Sequence, residues 1–367
     1  MEKFLNAINN DPFFSKNKVL ILDLLLLSWV CYVLLPLLNI GFISDEAYNS
    51  QILGKNITEG ITLWERLYHE IGGWLTGSGR FWPFNWFYKY GLYTLQPSAF
   101  IVKLITLAIV AFNVLFYAKI IQFITKDRNL SYICAFIVPL FFQFRLWHDP
   151  IMAFTFMIPL ISLFLFSTTY LLINYLEENR FRTIFLFGFL YLLSLWTYEL
   201  TYVFISFYIL IIMFTRERRG WWKPLLLIIA LTSLHVFIAI FFKDQNRNEY
   251  PGSALNFDYK VIFSSLIVQI TSAFPLSWKI ANAPAHESLT KLTYSVLLIF
   301  SAFSLIITAQ LNKVKDSLSG SSASIKLFIF SLALLFVPAV PIALTGHQDE
   351  LIEMGFGYGY IVVFIQY

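Results

Sequence analysis

Apolar runs at roughly residues 19–41, 99–122, 129–144, 151–176, 183–198, 200–215, 222–242, 292–312 and 327–344 divide this sequence from end to end. The first, from Val19 to Ile40, is long enough to cross a hydrocarbon core as a helix, and no small-residue cleavage site follows it. Lipid offers the backbone no hydrogen bonds, so such a chain has to satisfy its peptide groups internally, as helices. Composition agrees: 58% of residues are hydrophobic, 19% aromatic and only 13% charged, against about 25% charged in a soluble domain. The expected fold class is all-α, a polytopic membrane helical bundle of about nine spans forming one transmembrane domain over 1–367. Cys31 and Cys134 both fall inside apolar runs, so no disulfide is expected. No lysine- or arginine-rich arm is present, which makes nucleic acid an unsuitable partner.

Charge parity sets the expected topology. "KDRN" (126–129), "EENRFR" (177–182), "RERRGWWK" (216–223) and the Lys313–Lys326 segment are compact and basic, as is the amino-terminal stretch with Lys3, Lys16 and Lys18. The positive-inside rule assigns all of them to the cytoplasmic side. Two basic loops on one side need an even number of crossings between them. That forces outward turns at 145–151 and 196–202, and it leaves 261–278 as a re-entrant or surface-lying helix. The last stretch, "GYGYIVVFIQY", reads as the start of a tenth span in a longer chain. The amino terminus is expected inside.

The acidic residues then sort to the outer face. Asp45 and Glu46 follow the first span without a spacer, Asp149 sits in a tight outward turn, and Glu199 lies in a turn lacking Gly or Pro. The helices flanking the last two turns are about 16 residues, or roughly 24 Å, shorter than a typical hydrocarbon core. Carboxylates held at that depth usually face water or a partner, so one outward-open polar cavity is expected. Arg80 in "GSGRFWPFNW" is either an interfacial anchor among belt aromatics or a phosphate clamp. Arg145 and His148 flank Asp149; an anchor and a turn residue are their plainer readings, with substrate contact the sharper one.

Two long outer loops, 42–98 and 243–291, carry the rest. "TLWERLYHEI" (62–71) places Leu63, Leu67 and Ile71 on one helical face and Glu65, Arg66, His69 and Glu70 on the other, an interfacial amphipathic helix. "GGWLTGSGR" is expected to be a flexible turn after it, and "FWPFNWFYKY" a rim of rings suited to a membrane belt or to sugar faces. The 243–291 loop holds the re-entrant or interfacial helix. His347, Asp349 and Glu350 have no diagnostic metal spacing, and no nucleotide-binding or hydrolase fingerprint occurs.

"SDEAYNSQILGK" followed by "GSGRFWPFNW" resembles the GT-C superfamily of integral-membrane glycosyltransferases, and is similar to the bacterial branch that glucosylates O-antigen, where an acidic pair and a later "GR" recur. The likeness covers roughly residues 19–215 in architecture. It implies transfer of a sugar from a polyprenyl-phosphate donor to a glycan or lipid acceptor in the cell envelope, with inversion. Asp45 would be the general base and Glu46 its orienting neighbour. Arg80 would hold the departing phosphate. Asp149, Glu199, His148, Arg145, His69 and Glu70 would line the substrate. In a metal-dependent variant Asp149 and Glu199 would join Asp45 around a divalent cation, magnesium or manganese. This chain has Asp-Glu where the family pattern is often Asp-Asp.

Two other classes compete. A transporter or lipid-linked glycan flippase also gathers acids around a cavity, but it usually shows inverted repeats or broken midplane helices, whereas these acids cluster at one face. A glycan polymerase or ligase would carry more outer-side arginines.

Overall fold

A computed structural model of the protein describes residues 12–144, 149–215, 220–243, 257–273, 321–344 and 365. Every regular element among them is helical. In chain order these are α1 (Pro12–Leu34), α2 (Asp45–Asn49), α3 (Ile52–Glu59), α4 (Leu63–Ser78), α5 (Pro83–Thr94), α6 (Ala99–Thr125), α7 (Arg128–Ile137), α8 (Met157–Glu178), α9 (Phe181–Leu195), α10 (Phe204–Phe214), α11 (Trp222–Phe242), α12 (Tyr259–Ser272), α13 (Ser321–Phe336) and α14 (Ala339–Ala343).

Five segments are long and apolar enough to cross a membrane: Val19–Asn39, Ala99–Thr125, Met157–Glu178, Trp222–Phe242 and Ser322–Ala343. Arg128–Leu140, Phe181–Leu195 and Glu199–Phe214 are apolar but shorter. The span expected at 292–312 lies outside the described residues, as does most of the 243–291 loop. Side chains such as Leu226, Ile229, Leu234, Phe237, Ile240 and Phe241 of α11 stand exposed along the helix. Water would penalise such a surface and acyl chains would not. The chain is a multi-pass membrane protein.

The helix α6 is the hub, packing on α1, α7, α8 and α13. Its contacts with α8 rise in step along both helices: Asn113 Nδ2 donates to the Pro159 carbonyl at 2.7 Å, and Phe116 meets Tyr170 ring to ring at 5.7 Å. The two helices therefore run parallel. α1 runs the other way, because Asp23, early in the apolar span Val19–Asn39, pairs with Lys119 near the end of α6. At that same end Gly220 abuts Tyr175 and Asn179, and Lys326 donates to the Phe214 carbonyl at 3.1 Å. The basic turns around 126–129, 177–182 and 220–223 thus share one end of the bundle. The segment 42–98 packs at the other.

Two expectations change. α4 does not stop at Ile71 but continues through Gly72 and Gly73 to Ser78. Glycine costs a helix about 1 kcal/mol relative to alanine. Here Trp74, stacked on Trp82 at 5.8 Å and on Trp86 at 6.1 Å, offsets that cost by tertiary packing. The turn is confined to Gly79, whose φ of 70° suits a residue without a Cβ. The span expected from 151 begins at Met157 instead. Asp149 Oδ1 accepts the backbone N–H groups of Ile151 and Met152, both at 2.8 Å, which holds the chain in a turn in place of a helix.

Candidate functional site

The short helix α5 organises the end of the bundle opposite the basic turns. Pro83 opens it, and the Trp196 carbonyl accepts from Phe84 N at 3.1 Å and Asn85 N at 3.2 Å. Donors left open at a helix start are thereby satisfied by the turn before Glu199. α5 also packs on α2, α3 and α4, so it connects two polar groups.

The first group surrounds Glu46. Asp45 is exposed at the start of α2, directly after Ser44, which holds a φ of 50° unusual for a residue with a side chain. Its neighbour Glu46 is wholly buried and ion-paired with the equally buried Lys103 of α6. Lys103 Nζ also approaches the Met152 carbonyl at 3.4 Å. Burial pushes the Glu46 carboxyl up to about 6; the Lys103 ammonium opposes that shift, and the nearby Asp149 charge adds to it. Asp149 is itself fully buried. Two residues of α5 complete the group. Tyr93 exchanges a hydroxyl hydrogen bond with Thr155 at 3.3 Å, and Lys89 lies within electrostatic reach of Asp45.

The second group surrounds Arg80. Gly79 turns the chain out of α4 so that Arg80 Nε lies 3.4 Å from Glu199 Oε1. The guanidinium carbon stands 4.7 Å above the Trp82 ring, a cation–π arrangement. His235 of α11 secures the same loop: its Nε2 lies 2.9 Å from the Phe81 carbonyl and its Nδ1 2.8 Å from the Tyr202 hydroxyl. A carbonyl only accepts, so Nε2 carries the proton and Nδ1 accepts from Tyr202.

The sequence-derived residues distribute over these groups. Asp45, Glu46 and Asp149 belong to the first, Arg80 and Glu199 to the second. Of the three acids expected to share one cavity, Asp149 acts on the Glu46–Lys103 pair, Asp45 on Lys89, and Glu199 on Arg80. The reason is local pairing: Glu199 finds Arg80, while Asp149 turns its carboxylate onto its own backbone. Among the described residues no three His, Cys, Asp or Glu side chains gather closely enough to hold a metal ion, so Asp45, Asp149 and Glu199 do not form the ligand set considered for a divalent cation. Glu70 accepts from the buried Tyr90 hydroxyl, whose proton burial and this carboxylate hold well beyond its ordinary range. His69 is exposed and sets its ring edge-on to Tyr68 at 6.0 Å. Arg145 and His148 lie outside the described residues.

Sequence reasoning missed Lys103, Lys89, His235 and the Asp23–Lys119–Tyr132 triad. In the triad Asp23 accepts from Lys119 at 2.8 and 3.0 Å and from the Tyr132 hydroxyl. The signal was present in each case, as a polar residue inside an apolar run. The apolar face of α5 borders a groove of about 430 Å³ lined by Trp64, Leu67, Tyr68, Phe84, Phe87 and Trp196, among others.

No protein-family model matches the chain, and neither a curated protein nor a solved structure does.

Proposed function

We propose that the protein is a membrane glycosyltransferase that moves a sugar, glucose being the first candidate, from a polyprenyl-phosphate donor to a cell-surface glycan or lipid acceptor. The observation that carries this reading is the setting of Asp45. It is an exposed carboxylate at the end of the bundle away from the basic turns, on a backbone anchored by the buried Glu46–Lys103 pair. A general base needs this combination of access and fixed position. Arg80, a guanidinium set among aromatic rings across α5, suits the departing phosphate. The apolar groove along α5 suits a prenyl chain.

In the transfer step Asp45 takes the proton of the acceptor hydroxyl as that oxygen attacks the anomeric carbon. The bond from the anomeric carbon to the phosphate oxygen breaks, the electron pair leaves with the prenyl phosphate, and configuration inverts. Glu46 holds α2 against α6 in place of binding the acceptor. The basic turns would face the cytoplasm and Asp45 the exterior.

The test is transfer from a labelled polyprenyl-phosphate sugar by purified protein, wild type against Asp45→Asn. Transfer by the wild type and its loss in a folded Asp45→Asn variant is the expected result. Undiminished transfer by that variant would falsify the base assignment, and no transfer from any such donor would sink the enzyme reading. One observation favours a transporter or flippase as the second reading: Asp23, Lys119 and Tyr132 form an ionic cluster within apolar helices, where such groups often mark a translocation path.

A further inference from the structure

At about 100° per residue, Asn85, Trp86 and Lys89 share one face of α5, while Pro83, Phe84 and Phe87 border the apolar groove on the other. Lys89 is 4% exposed. It donates only to Met157 Sδ, at 3.8 Å, and among the described residues no carboxylate stands within ion-pair distance of it. An ammonium removed from water without a counter-charge is strongly disfavoured. The Trp86 ring, with its centroid 5.8 Å from Nζ, offsets a small part of that. Burial lowers the lysine to about 8, and the nearby Asp45 opposes the shift. One turn back along the helix, the Trp86 indole N–H is also buried and, among the described residues, without an acceptor.

Both unsatisfied groups on this face are donors, and one is cationic. Buried polar groups in native proteins nearly always find partners, and an anion offering several acceptor oxygens would satisfy both donors.

We propose that Lys89 and the Trp86 indole N–H form a binding site for a phosphate group. The proposal deepens the transferase reading and rests on it only for the source of the phosphate, a prenyl phosphate. Among the described residues Arg80 is shared with Glu199, and Lys89 supplies a further cation for the phosphate charge.

The experiment is direct binding to the purified protein in nanodiscs, with a long-chain prenyl phosphate, the matching prenol and inorganic phosphate as separate probes. The prenyl phosphate should bind at least tenfold more tightly than the prenol. Lys89→Met should remove that preference, and Trp86→Phe should weaken it several-fold. Without ligand, Lys89→Met should melt no lower than the wild type, since it removes an uncompensated charge; a lysine with a structural role would show the opposite. Equal affinity for prenol and prenyl phosphate overturns the proposal, as does unchanged phosphate binding in folded Lys89→Met and Trp86→Phe. Inorganic phosphate binding with the same dependence on Lys89 supports the site and assigns it to a free anion. Lys89-dependent phosphate binding without sugar transfer leaves the site standing and removes the enzymatic reading.

Discussion

The Glu46 carboxylate and the Lys103 ammonium form an ion pair from which water is fully excluded, tying the short helix α2 to the central helix α6 of the bundle. Each charge is tolerable only because of the other. Lys103→Met should therefore destabilise the fold by about 3–5 kcal/mol by stranding a buried carboxylate. The double variant Glu46→Leu/Lys103→Met should recover most of that loss. Thermal unfolding of the four proteins of this cycle in detergent measures both; additive losses would show that the pair is not coupled.

Because Glu199 occupies one side of Arg80, it competes with any anionic ligand for that guanidinium. Glu199→Gln should tighten donor binding several-fold, and Arg80→Lys should weaken it by removing the planar fork that stacks on Trp82. Equilibrium binding of a polyprenyl-phosphate sugar to both variants is the measurement, and matching changes in the two would contradict the assignment.

Replacing His235 with Phe removes the donor to the Phe81 carbonyl and the acceptor of the Tyr202 hydroxyl together. The expected loss is about 1–3 kcal/mol, because both partners are left unsatisfied. Thermal unfolding again reports it. His235→Gln, which can still donate to Phe81, should lose less.

Lys89 predicts a pH dependence of known sign. Its folded-state value, near 8 through burial, lies below the ordinary lysine value of 10.5, so between those limits the unfolded chain binds more protons. Stability of the ligand-free protein should rise with pH from about 8 to 10.5, while phosphate affinity falls as pH passes 8. Asp45 is the acidic group acting on this lysine, with Trp86 and Met157 the other side chains against it. The stabilities of wild type and Lys89→Met should converge as pH rises through this range, and a gap that stays constant would show that the lysine is not responsible.

Topology can be read by labelling single cysteines with an impermeant thiol reagent, in a background with Cys31 and Cys134 replaced. Cysteines at Lys126 and Arg180 should label together from one side, and one at Tyr48 from the other. Labelling of all three from the same side would overturn the shared-end arrangement.

Periodicity, composition and charge spacing alone determined that this chain is a helical membrane protein, that its basic turns belong at one end, and that Leu63, Leu67 and Ile71 form the packing stripe of an amphipathic helix. Those properties depend on solvation and on helix geometry, which act residue by residue. What the acids do was decided by tertiary structure. Asp45 and Glu46 are adjacent and chemically alike, yet one is exposed and the other lies in the core opposite Lys103. Glycines 72 and 73 read as a break, yet the stacking of Trp74 on α5 carries the helix through them. An ion pair such as Glu46–Lys103 spans distant parts of the chain, and its partner is chosen by how the helices dock. Local patterns record which residues avoid lipid, and only packing determines which of them meet.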